Sequence, residues 1–302
     1  MKEKSNNDVL MGNSVSRKVF VTINTIFLIL VTFITILPII HIISLSFSST
    51  QAAEGGLVGL LPVQFSLKAY TSILGKTSFY RSLVVSIKRV IIGVPFSLLC
   101  TILVAYPLSK DKKSFPARKI YVWFFIITML FNGGIIPTYI IVKSTGIMNK
   151  LWALILPSAV SVFNILILMN FFRELPKELE EAALIDGAGH ISILTRIFLP
   201  LAKPALATLV LFIFVFHWNS WFDGLMYINK IERIPLQTYL QQILTMPDTR
   251  FMTADQLQEL GNASRRTSNA AQIIISTIPI LIIYPFLQKY YTKGLVLGSV
   301  KS

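Results

Sequence analysis

Apolar residues run in long blocks along this chain, and polar residues gather at the joints between them. A helix needs about 20 apolar residues to cross a bilayer core. Blocks near 19–47, 90–108, 120–142, 151–172, 204–227 and 270–290 approach or exceed that length. The pattern predicts an all-α, polytopic membrane protein with six transmembrane helices. Pro38 and His41 interrupt the first block, and Asn132-Gly133-Gly134 with Pro137 break the third. Lys88 and Arg89 precede the second block and are expected at the headgroups, where long basic side chains snorkel. Segment 66–81 reads as a short external amphipathic helix. The first block far exceeds the roughly 7–15 apolar residues of a signal peptide. It is read as a retained first span behind a cytoplasmic tail, 1–18.

Composition supports the pattern. Of 302 residues, 54% are hydrophobic and only 14% charged, which excludes an ordinary soluble domain. The net charge of +14 comes from Lys and Arg that punctuate apolar runs rather than form a stripe, so no nucleic-acid partner is expected. Loop charge sets the orientation. Loop 109–119 holds five basic residues (Lys110, Lys112, Lys113, Arg118 and Lys119), whereas loop 143–150 holds two. Basic residues near span ends stay cytoplasmic. Both termini, loop 109–119, loop 173–203 and the tail 291–302 are therefore placed inside, in a multi-pass protein of the cell membrane. Segment 48–81, loop 143–150 and the long loop 228–269 are placed outside. The lone Cys100 can form neither an internal disulfide nor a metal site, and no metal is expected.

Loop 173–203 differs from its neighbours. Pro176 suits a first helical turn, and Glu178, Glu180 and Glu181 complement a helix N-terminus. Leu179, Ala182, Ala183 and Ile185 supply an apolar side with small residues. Asp186-Gly187 stops the helix, with glycine free to take a left-handed conformation. A second short helix, about His190 to Leu199, ends at Pro200. Physics alone allows two readings: a docking element for a partner, or an amphipathic connector with none.

The spacing here is specific. Glu181-Ala182-Ala183, three residues, Gly187, nine residues, Ile197, one residue and Leu199-Pro200 resembles the EAA loop of ATP-binding-cassette importer permeases at every named position. The chain looks like the carbohydrate-uptake, maltose-type branch. Ala105-Tyr106-Pro107-Leu108, Trp218-Asn219 and the tail around Lys293-Gly294-Leu295 agree. Phe131-Asn132-Gly133-Gly134-Ile135-Ile136-Pro137-Thr138 resembles a subgroup associated with complex, in part uronate-containing, oligosaccharides.

The resemblance implies one transmembrane permease domain, 19–302, importing an oligosaccharide delivered by an extracellular solute-binding protein. A second permease subunit and two ATPase subunits would complete the assembly. Loop 173–203 would be the coupling element between the fourth and fifth spans. Glu181 would pair with an ATPase base, and Ala182, Ala183, Asp186, Gly187, Ile197, Leu199 and Pro200 would shape the loop. The chain would be no enzyme, with ATP and Mg held by the ATPases. Gly75-Lys76-Thr77 lacks the upstream glycine of a phosphate-binding loop, since that position is Tyr70.

A pyranose offers one apolar face and a rim of hydroxyls, so aromatic rings and amides suit it. Asn132, Asn164, His217, Trp218, Asn219 and Trp221 are the pathway candidates. Interfacial aromatic belts and interhelical amide bonds are the competing uses of the same residues. Loop 228–269 resembles one that reaches into the binding protein; a solvated loop fits equally. The rival function is an ion-coupled secondary transporter of a small polar solute. Such proteins rely on intramembrane carboxylates, and Asp223, near the outer end of the fifth span, is the nearest acid.

Overall fold

The computed structural model describes residues 15–131, 133–244 and 265–298. Helices dominate: α1 (Val15–Ser46), α2 (Thr50–Glu54), α3 (Lys68–Leu74), α4 (Thr77–Ser109), α5 (Arg118–Leu130) and α6 (Ile135–Ser144) come first. Then follow α7 (Val162–Glu174), α8 (Lys177–Ile185), α9 (His190–Leu201), α10 (Lys203–Asn219), α11 (Phe222–Tyr227), α12 (Leu236–Leu244) and α13 (Arg265–Gly298). Among the described residues, three helical stretches are long and apolar enough to cross a membrane: Arg17–Ser46, Thr77–Ser109 and Arg266–Pro285. Three bent pairs, α5 with α6, the turns of 151–158 with α7, and α9 with α10, bring the number to as many as six if each pair is one span.

The chain forms two compact units. Of the described residues, the first holds 15–72 together with 265–274. Here α1 runs unbroken through Pro38, and its last turns organise the segment that follows. His41 Nδ1 lies 2.9 Å from the Gly59 carbonyl, Ser44 Oγ donates to Leu60 O at 2.6 Å, and Ser48 Oγ accepts from Val63 N at 3.0 Å. Phe47 stacks on both Phe65 and Tyr70. His41 thus has a structural partner that the sequence did not reveal.

The second unit, 73–244 with 275–298 among the described residues, is built around α4. Ser82, Ser86, Gly93, Ser97, Thr101 and Ala105 lie buried along one face at near-helical spacing. Small residues let helix backbones approach closely in an apolar medium, and α7 and α10 pack on α4. The opposite face exposes Val84, Ile87, Ile91, Leu99 and Leu103. Gly93 sits under an imidazole: a Cβ there would stand 2.9 Å from His217 Nε2. The apolar core gathers where α4 ends. Ile102, Ala105 and Tyr106 meet Ile165, Leu168 and Phe172 of α7, Phe198 of α9 and Leu209 of α10.

Several expectations from the sequence are corrected. Segment 66–81 is not one helix; α3 stops at Leu74 and α4 starts at Thr77. The helix that carries the second apolar block therefore begins well before residue 90, and Arg89 lies inside it with its side chain buried at 0% exposure, so it does not snorkel. The fourth block is not a continuous helix. Short 3-10 turns at Leu151–Leu154 and Leu156–Ser158 precede α7 with a 52° bend. Pro157 removes a backbone donor there, and Ser161 caps α7 by accepting from Asn164 N at 3.4 Å. The fifth block breaks at Ser220-Trp221. The start of loop 228–269 is not merely solvated, because Leu236 and Leu240 of α12 are buried and Leu236 N donates to Ser86 Oγ at 2.8 Å. Asp248, Arg250 and Glu259 of that loop lie outside the described residues.

Candidate functional site: the coupling loop and the fifth-span break

The loop between α7 and α10 folds as its residues require. Pro176 stands at the N-cap of α8, and Glu178 and Glu180 occupy its first turn, where carboxylates favour the positive end of the helix dipole. The end of α8 is a two-bond C-terminal cap. Gly187 N donates to Leu184 O at 3.0 Å and Ala188 N donates to Ala183 O at 2.9 Å. That closure requires a left-handed residue, and Gly187 has φ +80°. Asp186 is the C-cap, with its N–H donating to Ala182 O. Next comes α9, with a π-helical stretch at Leu194–Phe198 just before Pro200. Proline supplies no N–H, so the regular ladder cannot continue there; Leu199 N reaches Leu194 O instead. α9 ends at Leu201 and meets α10 at 83°.

The helix α8 has two distinct sides. Ala183 packs against the apolar core together with Ala188, Ile197 and Leu199. Glu181, Ala182, Asp186 and Ile185 are exposed, Ile185 at 86%, as is Ile191 at 80% in α9. Neighbouring acids therefore have different fates. Glu180 faces inward and accepts from Lys110 Nζ at 2.6 Å, while Glu181 faces outward. Lys110 is only 8% exposed, and its ammonium lies 4.0 Å from the Tyr106 ring centroid and 4.2 Å from that of Phe198. Burial pushes the Lys110 pKa below its ordinary value, and the Glu180 hydrogen bond and charge work against that shift. At the surface, Lys177 Nζ donates to Asp111 Oδ2 at 2.6 Å. A groove lined by Lys110, Asp111, Arg173, Lys177, Glu180 and Glu181 opens between loop 109–114 and α8.

The pathway candidates separate as well. Asn132 lies outside the described residues. Asn164 is buried in the first turn of α7. His217 is 1% exposed, with Nδ1 accepting from Arg89 Nε at 3.4 Å and Nε2 lying 3.3 Å from Ser97 Oγ. Trp218 is 3% exposed and donates through Nε1 to Ser276 O at 2.9 Å. In this conformation Asn164, His217 and Trp218 are all buried. Asn219 and Trp221 are exposed at the break.

Arg89 holds that break. Its Nη1 donates to Ser220 O at 3.3 Å and to Asp223 Oδ1 at 3.2 Å, and its Nη2 donates to Asp223 Oδ2. A helix ending inside an apolar medium frees backbone carbonyls that need donors. The guanidinium supplies one to Ser220 O, and its fork matches the carboxylate of Asp223 in two bonds. Asp223 also accepts from Gly224 N at 2.8 Å. Sequence reasoning missed this cluster, since Arg89 and Asp223 are 134 positions apart.

Comparison with known proteins agrees with the fold. Protein LplC of Bacillus subtilis (strain 168) is 42% identical over 291 residues, spanning 96% of this chain and 98% of LplC. The polygalacturonan/rhamnogalacturonan transport system permease protein YtcP of the same organism is 40% identical over 278 residues, spanning 91% and 96%. A chain in the crystal structure of a bacterial ABC transporter involved in the import of the acidic polysaccharide alginate superposes with a TM-score of 0.82. It is 33% identical, and the match covers 93% of this chain and 99% of that one. Residues 71–296, which include the whole of loop 173–203 and the Arg89 cluster, match the family described as binding-protein-dependent transport system inner membrane component, and the chain belongs to that family.

Proposed function

We propose that this chain is the transmembrane permease subunit of an ATP-driven importer for oligosaccharides that contain acidic sugars. Residues 19–302 work as one permease domain with both termini on the cytoplasmic side. The chain pairs with a second permease. Two ATPase subunits, which hold ATP and Mg, dock beneath it, and an extracellular binding protein delivers the sugar. The reading draws on the polygalacturonan/rhamnogalacturonan permease and the alginate importer as relatives. The observation that carries it is the two-sided α8: Ala183 is set into the bundle while Glu181, Ala182 and Ile185 are presented outward.

That arrangement has a mechanical consequence. An exposed acid beside small and apolar side chains fits a cleft with a matching base. The cap at Gly187 fixes the angle at which α8 leaves the loop, and α9 joins it to α10 through the 83° turn. Closure of the ATPases pushes on α8, and the shared core passes the movement to α7 and α10. Of the pathway candidates, Asn219 and Trp221 are the groups free to meet sugar at the break.

The test is uptake by the complete complex in proteoliposomes, with labelled galacturonate oligosaccharides as probe. Glu181→Gln keeps the shape of the side chain and removes its charge. Loss of one charge-assisted hydrogen bond is expected to lower uptake by about tenfold or more, with the four-subunit complex still assembled. Full uptake by this variant contradicts the docking role. No uptake of galacturonate oligosaccharides by the unaltered complex, alongside uptake of neutral ones, contradicts the acidic-sugar assignment.

A further inference from the structure

Helix α8 touches more than its own neighbours in sequence. Lys110 is the residue that follows α4, 70 positions before Glu180, yet its Nζ lies 2.6 Å from Glu180 Oε1. The ammonium also faces Tyr106 of α4 at 4.0 Å and Phe198 of α9 at 4.2 Å. Those two rings meet edge-on with centroids 5.3 Å apart, and Phe172 of α7 packs 5.4 Å from Phe198. One cation therefore binds three elements: the end of α4, the first turn of α8 and the π-helical stretch of α9. An ammonium between aromatic faces and a carboxylate, shielded from water, makes strong, directional contacts.

We infer that Lys110 is a positioning residue for coupling. The Lys110–Glu180 pair fixes α8 to the end of α4, so that movement of the coupling helix drives the second span directly. The division of labour between adjacent acids follows: Glu181 meets the ATPase, and Glu180 meets the permease's own central helix. This inference rests on the importer reading of α8. It adds a second route of motion beside the chain connections to α7 and α10. The geometry favours it because α4 carries the small-residue face on which α7 and α10 pack. It also carries Arg89, which holds the fifth-span break. A displacement of the cytoplasmic end of α4 thus reaches the candidate sugar pathway without passing through a loop.

The experiment compares sugar moved per ATP hydrolysed by the complete complex in proteoliposomes, with galacturonate oligosaccharide as the probe. Glu180→Gln is nearly isosteric, and Lys110→Met keeps the aliphatic stem. Each is expected to lower the ratio by about tenfold while ATP hydrolysis continues, as loss of one charge-assisted hydrogen bond implies. The double variant should be no worse than either single one, because both remove the same link. Lys110→Arg keeps the cation and should recover most of the ratio.

Glu181→Gln runs beside them as the control for the importer reading. A normal ratio in Glu180→Gln and Lys110→Met, with uptake lowered in Glu181→Gln, overturns the inference alone. So do losses that add in the double variant. Normal uptake in all of them overturns the importer reading of α8 as well. A second measurement needs no loss of the pair. Spin labels at Glu178→Cys and Lys113→Cys, in a Cys100→Ser background, report the separation of α8 from the end of α4. It should stay constant between the ATP-free and ATP-trapped complex, and a change of several ångströms would overturn the joint.

Discussion

Arg89→Met is expected to remove the complete complex from the membrane, or to leave a small fraction that unfolds far more easily. The substitution keeps most of the side-chain volume and deletes the cation. Asp223 then stays within the helices without its two-bond partner, Ser220 O loses a donor, and His217 Nδ1 loses its hydrogen bond. Breaking a fully buried ion pair from one side costs about 3–5 kcal/mol; Asp223 is 22% exposed and keeps the Gly224 N–H, which places the loss toward the lower end. Single proteins hold about 5–15 kcal/mol in total, so such a loss is close to decisive. The comparison that isolates the charge is Arg89→Met with Asp223→Asn. Removing both charges should recover much of the yield, measured as assembled complex in detergent. Equal yields for the single variant and the unaltered protein would contradict the role given to the pair.

Gly187→Val is the second large effect, and it differs in kind. Nothing lies within 4 Å of a Cβ built on Gly187, so the valine would not clash. The penalty is in the backbone, which must hold φ +80°. A left-handed conformation costs an ordinary L-residue roughly 1–2 kcal/mol, and a β-branched one more. Relief of that strain breaks the bonds from Gly187 N and Ala188 N that close α8. The coupling helix then leaves the bundle at another angle. ATP hydrolysis should continue while uptake falls by about tenfold or more. Gly187→Asn is the gentler control, because asparagine tolerates the left-handed region. Unchanged uptake in the valine variant would remove the cap from the mechanism.

The rival reading, an ion-coupled carrier, calls for an acid free to exchange its ion within the membrane. Asp223 is not such a group here. Both of its oxygens accept from Arg89, and one also accepts from the Gly224 N–H. Its chemistry is that of a fastener for the fifth-span break.

The helix–turn–helix of loop 173–203 was legible in the sequence because its signals are local. Pro176, the acids of the first turn and Asp186-Gly187 lie within one short segment, and each acts on backbone beside it. The long first helix was legible for the same reason: a long apolar run has few alternatives. The interior of α4 was not. A charge in an apolar stretch looks like a headgroup anchor until its partner is known, and the partners of Arg89 sit on α10 and α11. Ser161, three residues before Asn164, did carry a cap signal that would have placed a helix start inside the fourth block. Likewise, which of Glu180 and Glu181 faces inward depends on Lys110, a contact that spacing along one helix cannot fix.

The most direct test of the central claim concerns Ala182, an exposed residue on the outward side of α8. With Cys100→Ser to clear the background, Ala182→Cys is treated with a membrane-impermeant thiol reagent in sealed vesicles of known orientation. Labelling is expected from the cytoplasmic side alone, blocked when the ATPase subunits are bound. Labelling from the outer side, or equal labelling with and without the ATPases, would contradict it.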